Sequence, residues 1–218
     1  MKIGVIHATT SAAMPLNEAF PRLAPETTVL NFVNEELLHR ANAMGGVDTA
    51  GLRMFARTVF TAAEAGVDGI IVACSVYCPY VEQVKPFLQV PIIAVDNPML
   101  ETAAVKGQRI GILTTNLPAA PAAQKQIEQI AFAIGRTPSF IQCPLPSAAA
   151  ALKRNDHAEF VHIIREAAEQ LVQQGCETLI LAQITMACAA PALADLNVTV
   201  LTSPDEGVNR ILALAQRN

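Results

Sequence analysis

Three segments of the 218-residue chain recur in the same order roughly 107 residues further on, which predicts a fold built from two copies of one unit. The three pairs are residues 3–9 with 110–116, 66–74 with 175–183, and 91–98 with 198–204. One such match would carry little weight, because apolar strands resemble one another in many proteins. Three matches in one order, at nearly one spacing, indicate an internal duplication.

Each copy contains four short apolar runs separated by helical or polar stretches. The runs are 3–6, 28–33, 69–73 and 91–95 in the first copy and 110–113, 138–143, 178–182 and 198–202 in the second. Apolar residues at helical spacing predict long helices over about 48–65 and 156–174, and a further helix is expected after each third run. Alternating strands and helices predict an α/β fold of two pseudo-symmetric, Rossmann-like lobes, each with a parallel sheet.

The ends of the two long helices carry recognisable signals. Asp48 and Asp156 stand where the helices should begin, and Gly66 and Gly175 stand where they should end. The chain should cross from one lobe to the other within 96–108. The lobes are therefore predicted as 1–96 and 97–202, with 203–218 joining the first lobe.

Composition restricts the classes of protein that this chain can belong to. Hydrophobic residues make up 52% of it and charged residues 16%, which fits strands covered on both faces. No apolar run suits a membrane span, and the first residues resemble a strand rather than a signal peptide. A formal charge of -4 without a basic run gives no sign of nucleic-acid binding. The Ala-rich, weakly charged surface is compatible with a homodimer.

The five cysteines are odd in number and unevenly spaced, which argues against a disulfide framework. Cys74 and Cys78 are not accompanied by a pair of histidines, so no metal site is expected. A reduced, cytoplasmic setting is the simplest interpretation.

Ligands of parallel α/β sheets bind beyond the carboxyl ends of the strands, where loop amides and helix N-termini converge. The residues that follow the apolar runs are mainly hydroxyl and amide side chains, a set that suits a small carboxylate. These candidates are His7, Thr9, Cys74, Ser75, Asp96, Asn97, Thr114, Thr115, Asn116, Gln183, Thr185, Thr202 and Ser203. Nucleotide-binding glycine motifs and a G-x-S-x-G elbow are absent from the sequence.

Cys74 is the candidate for the chemical step. It ends the apolar run of the first copy, and a helix beginning there would favour its thiolate form. The alternative is that Cys74 is a small buried hydrophobic residue. His7 could lower the pKa of Cys74 or bind substrate, or it could be a surface or capping residue. Tyr77 and Cys78, one turn further on, are candidates for lining the pocket, and the alternative for Cys78 is a place in the core.

The duplication, the segment Gly66–Ser75 and the matching segment Gly175–Ala182 resemble the aspartate/glutamate racemase superfamily. This superfamily includes glutamate, aspartate and hydantoin racemases, maleate isomerase and arylmalonate decarboxylase. The resemblance implies an active site in the cleft between the lobes, no cofactor, and one cysteine on each face of the substrate α-carbon. It assigns the first cysteine to Cys74 and the hydroxyl residue after it to Ser75. It also assigns carboxylate binding to Thr9, Thr114, Thr115 and Asn116.

The second cysteine of the superfamily has no direct counterpart, because the repeat places Gln183 opposite Cys74. The nearest thiol is Cys188, which is expected either to pack under the next helix or to reach the cleft. A glutamine can hydrogen-bond a carboxylate or enediolate oxygen, but it cannot exchange a proton with carbon. The leading hypothesis is an amino-acid racemase of the aspartate/glutamate type. The alternatives are a single-cysteine isomerase or decarboxylase, and a non-catalytic carboxylate-binding protein.

Overall fold

The computed structural model describes residues 1–115 and 119–217. In this part of the chain the apolar runs form parallel strands, assembled as two four-stranded sheets. The first sheet contains β1 (Lys2–His7), β2 (Thr28–Val33), β3 (Gly69–Val72) and β4 (Ile92–Ala94). The second contains β5 (Arg109–Thr114), β6 (Ser139–Pro144), β7 (Thr178–Leu181) and β8 (Thr199–Thr202). The predicted α/β fold is confirmed.

Helices flank both sheets. They are α1 (Met14–Leu23), α2 (Glu36–Met44), α3 (Thr49–Glu64), α4 (Val81–Val84), α5 (Asn97–Lys106), α6 (Ala119–Ala133), α7 (Pro146–Lys153), α8 (His157–Gln173) and α9 (Ser203–Ala215). Within the described ranges, no helix is both long enough and apolar enough to cross a membrane.

The two long helices begin at the predicted caps. The Asp48 side chain accepts the Gly51 N–H at the start of α3, and the Asp156 side chain accepts the Glu159 N–H at the start of α8. One side of α3 buries Phe55, Val59 and Ala62, which recur at helical spacing. Gly66 and Gly175 follow the helices with φ angles of 69° and 86°, the left-handed conformation that glycine adopts without steric cost.

The two sheets have the same strand order, β2-β1-β3-β4 and β6-β5-β7-β8. Ile6 pairs with Val72 in the first sheet, and Leu113 pairs with Leu181 in the second. The Ala73 N–H then bonds Ile6 O at 2.9 Å, and the Ala182 N–H bonds Leu113 O at 3.0 Å. These matching registers place Gln183 in the second sheet at the same position that Cys74 occupies in the first.

The chain divides into two compact units, Met1–Pro98 with Pro204–Asn218, and Met99–Ser203. In the first unit, α9 packs on β3, where a Cβ added to Gly69 would stand 2.9 Å from Ile211 Cδ1. In the second unit, one core lies among β5, β7, α7 and α8 and another among β5, α5 and α6. Both units therefore bury their central strands on both faces, as parallel sheets require.

The helix expected after each third strand is not formed as predicted. A turn, a 3₁₀ segment (Cys78–Tyr80) and the single-turn α4 follow β3, and a 3₁₀ segment (Ile184–Leu193) follows β7. Proline explains both departures, because it lacks an N–H and disfavours the α conformation in the residue before it. Pro79 lies in the first segment and Pro191 in the second.

Candidate functional site

Cys74 lies two residues beyond the end of β3, in the core of the first unit. Its side chain is 8% exposed and belongs to the same core cluster as Ala8 and Tyr77. The Cys74 carbonyl oxygen accepts the N–H groups of Tyr77 and Cys78, both at 2.9 Å. These bonds fold residues 74–78 into a tight turn directly after the thiol.

Burial and local hydrogen bonds act in opposite directions on this thiol. Desolvation raises the pKa of Cys74, and the carboxylate of Asp96 raises it further, while the backbone N–H groups of Val76 and Tyr77 lower it. Desolvation is the largest effect, so the pKa lies above the ordinary thiol value. The expectation that a helix N-terminus would make Cys74 a thiolate is wrong, because there is no long helix and burial outweighs the two amides.

Tyr77 does not line a pocket as expected, and Cys78 takes the alternative role of a residue packed against the core. Tyr77 is fully buried, and its hydroxyl donates to Leu37 O at 3.1 Å. The Cys78 thiol donates to Val72 O at 3.4 Å, and burial raises its pKa well above the ordinary thiol value. Both side chains therefore bond the framework of the first unit.

His7 ends β1 and is fully buried, so it is neither a surface nor an exposed capping histidine. Its Nε2 bonds Asn31 Oδ1 at 2.9 Å, and Asn31 Nδ2 donates to Asn17 Oδ1 at 3.1 Å. This orientation of Asn31 makes Nε2 the protonated nitrogen of the ring, and the buried Nδ1 has no hydrogen-bond partner. Burial lowers the pKa of His7 more than Asn31 raises it. His7 is not among the groups that shift the pKa of Cys74.

Two further candidates of the first unit lie near its strand ends. Thr9 is half-buried and precedes the 3₁₀ segment Thr10–Ala13, without a side-chain capping bond to it. Ser75 is exposed in the turn after Cys74. Their assignment to substrate remains a prediction.

The equivalent strand end of the second unit carries an amide with a defined orientation. Gln183 Oε1 accepts the Thr115 N–H at 2.6 Å and the Thr115 hydroxyl at 2.5 Å. A backbone N–H can only donate, so the oxygen of the amide must face Thr115 and Nε2 must face away. The tip of this strand therefore presents an N–H₂ group where the first unit presents a thiol.

The remaining candidates of the second unit are close to Gln183 or Thr115 along the chain. Cys188 is exposed on the 3₁₀ segment, and its thiol donates to Thr185 O at 3.4 Å, so the prediction that Cys188 packs under a helix is wrong. Thr185 is exposed, and Thr114 is fully buried at the end of β5. Asn116 lies outside the described residues.

In residues 1–115 and 119–217, no group of three or more histidine, cysteine, aspartate or glutamate side chains is placed to hold a metal ion. The sequence placed Asp96 among the candidates at the strand ends but did not predict that Asp96 and the Val76 and Tyr77 N–H groups act on the pKa of Cys74. Asp96 follows β4, and only the pairing of β4 with β3 brings that strand end next to Cys74.

The two units are alike, and Cys74 and Gln183 follow matching strands at the carboxyl ends, where parallel α/β proteins bind their ligands. Residues 3–211 match the family model for Asp/Glu/Hydantoin racemase. The chain belongs to this family. No curated protein sequence matches it significantly.

Solved structures with related folds include two racemases and a racemase homologue. An aspartate racemase homologue from Pyrococcus horikoshii OT3 has a TM-score of 0.76 at 14% identity, covering 99% of each chain. An allantoin racemase from Klebsiella pneumoniae has a TM-score of 0.70 at 20% identity, covering 100% of this chain and 88% of that one. A glutamate racemase from Bacillus anthracis has a TM-score of 0.67 at 16% identity, covering 99% of this chain and 81% of that one. The protein is thus a racemase-superfamily enzyme.

Proposed function

We propose that this enzyme transfers a proton at the carbon next to the carboxylate of a small substrate. The proposed substrate is an amino acid of the aspartate/glutamate type, and Cys74 is the proposed acid or base. One observation carries the proposal. Cys74 is a buried thiol just beyond the end of β3, in a tight turn that its own carbonyl oxygen closes by accepting the Tyr77 and Cys78 N–H groups. A desolvated thiolate held in a fixed position suits removal of a proton from carbon.

Because the pKa of Cys74 is raised, the rate of the reaction should depend on pH. At neutral pH the free enzyme holds the thiol mainly protonated, ready to donate. Removal of a substrate proton needs the thiolate, so the rate of that step should rise roughly tenfold per pH unit below the pKa of Cys74.

A second candidate function is favoured by Gln183. The amide stands at the position equivalent to Cys74 and cannot carry a proton to carbon. A single-cysteine decarboxylase or isomerase needs only one group that exchanges a proton with carbon, and Cys74 supplies it. In decarboxylation the bond from the α-carbon to the departing carboxylate breaks, its electron pair forms an enediolate, and the Cys74 S–H protonates the carbon. Solvent then restores the thiol.

The two candidates are distinguished in deuterated water by NMR. The substrates are L- and D-aspartate, L- and D-glutamate, allantoin, a hydantoin, maleate and an arylmalonate. A two-base racemase gives both enantiomers of the product, each deuterated at the α-carbon. A single-thiol enzyme exchanges the α-proton of one enantiomer only, or it releases CO₂ and leaves one deuterium on the carbon. No exchange, no decarboxylation and no conversion of maleate to fumarate would contradict both.

Two serine variants provide the matched comparison. Cys74→Ser should lower turnover by at least roughly 100-fold, the usual contribution of a positioned proton donor. Cys188→Ser changes an exposed thiol of the second unit and should leave turnover unchanged under the single-thiol candidate. Loss of activity in both variants would favour the two-thiol racemase. Equal ligand binding by the unchanged protein and by Cys74→Ala, with no turnover by either, would indicate a carboxylate-binding protein.

A further inference from the structure

The turn that follows Cys74 is bonded to helices that lie far from it in sequence. Its backbone closes on itself through the Cys74 carbonyl oxygen. Its only large buried side chain is Tyr77, which is fully buried. The Tyr77 N–H is one of the two that bond the Cys74 carbonyl oxygen, at 2.9 Å. Movement of Tyr77 would therefore move a group that is bonded directly to the backbone of Cys74.

The Tyr77 side chain is fixed on three sides within the first unit. Its hydroxyl donates to Leu37 O on α2 at 3.1 Å. Its ring packs against Phe55 of α3, with ring centroids 5.1 Å apart and an angle of 31° between the planes. The Tyr80 ring lies on another side, with a centroid distance of 6.3 Å. Burial raises the pKa of the Tyr77 phenol, so the hydroxyl stays a donor.

A glycine in the first turn of α3 makes room for this hydroxyl. A Cβ added to Gly51 would stand 3.0 Å from Tyr77 Oη and 3.2 Å from Asp48 Oδ1. Contacts this close require a neighbour to shift. Asp48 is itself held by the Gly51 N–H and by Arg40, whose Nε lies 2.7 Å from Asp48 Oδ1. A methyl group at residue 51 would therefore push on the tyrosine hydroxyl, which fits because this position is a glycine.

We propose that Tyr77 is a positioning residue for Cys74: by bonding α2 and packing on α3, it holds the turn that closes on the Cys74 carbonyl oxygen and so fixes the thiol in its buried position. The proposal rests on the proposed role of Cys74. Its test measures the thiol itself, so the outcome does not depend on the substrate being identified.

The test is the pH dependence of alkylation of Cys74 by iodoacetamide, followed by mass spectrometry of the Cys74 peptide. Other titratable groups that act on Cys74 or lie beside it are Asp96 and Cys78, and neither is altered. Tyr77→Phe removes only the hydroxyl. Burial is the largest effect on the pKa of this thiol, so a loosened turn that admits water should move the alkylation midpoint of Cys74 to lower pH by a few tenths of a unit or more and speed alkylation at pH 8. The exposed Cys188 of the same sample should keep its profile.

Gly51→Ala tests the same contact without altering Tyr77 or Cys74. It should displace the hydroxyl and move the Cys74 midpoint in the same direction. Tyr80→Phe keeps an aromatic ring on the same turn and should leave the midpoint unchanged. If Tyr77→Phe does not fold, Gly51→Ala decides the question. A lower melting temperature with an unchanged Cys74 midpoint in the folded variants would overturn the proposal, since Tyr77 would then serve stability alone.

Discussion

Cys74 is subject to opposing effects that come from different parts of the first unit. The two amides favour the thiolate, whereas desolvation and the charge of Asp96 favour the thiol. Asp96 follows β4, the strand next to β3, and its charge also raises the pKa of Cys78. Burial is the larger effect on both thiols, and the charge of Asp96 adds to it in the same direction, so both are protonated at neutral pH. This suits a group that must first donate a proton.

Asp96→Asn should therefore lower the pKa of Cys74, because the variant removes a negative charge that opposes the thiolate. Alkylation of Cys74 at pH 8 should become roughly two- to fivefold faster, a modest electrostatic effect. Peptide-level mass spectrometry after timed exposure to iodoacetamide measures the rate. Glu82→Gln is the matched control, since Glu82 is exposed, pairs with Lys85 and does not act on Cys74. An equal rate in Asp96→Asn and the unchanged protein would contradict the assignment.

The beginning of α3 combines a cap, an ion pair and a close approach. Arg40 and the Gly51 N–H together lower the pKa of Asp48 from its ordinary value of 3.8 to about 2. The ionised form is therefore favoured in the folded protein. This element also supports the Tyr77 hydroxyl, so its electrostatics belong to the surroundings of the candidate site.

The ionised Asp48 carboxylate should stabilise the folded protein fully above about pH 4, and this stabilisation should be lost as the pH falls through about 2. The sign follows because the folded pKa is lower than the unfolded one, so protons bind the unfolded chain first. Asp48→Asn can still cap α3 but carries no charge. The difference in free energy of unfolding between the two proteins, measured in urea, should shrink as the pH falls. A constant difference over this range would show that the charge contributes nothing.

At the scale of the whole molecule, the chain leaves the second unit and returns to the first. β8 belongs to the second sheet, and the residues of α9 from Pro204 onward belong to the first unit. Ile211 of α9 is fully buried and lies against Gly69 of β3. The strand that leads to Cys74 is thus covered by the last helix of the chain.

Ile211→Ala should reduce the free energy of unfolding by about 2–5 kcal/mol, because it leaves a cavity in a packed core. Amide hydrogen exchange of β1 and β3 should become faster. Ile134→Ala makes the same change at a side chain that is 49% exposed, and it should cost less than about 1 kcal/mol. Loss of protection confined to β5 and β7 in the Ile211 variant would contradict this assignment of α9.

Many features of the fold could be predicted from the sequence because the signals are local. The apolar runs give the strands to within a residue or two, and Asp48 and Asp156 cap the helices as expected. The spacing of the repeat aligned Gln183 with Cys74, and the strand registers agree. Where local signals failed, after β3 and β7, prolines within the segments replaced long helices by 3₁₀ turns.

The sequence by itself determined the doubled α/β unit, the position of Cys74 and the amide at the matching position, since each follows from periodicity or spacing along the chain. Only the tertiary structure decided how those side chains are held. Tyr77 bonds a carbonyl 40 residues away, and Gln183 bonds Thr115 across 68 residues. Whether Cys74 is a thiol or a thiolate likewise depends on the volume packed around it, because desolvation is a property of the folded core and not of neighbouring residues.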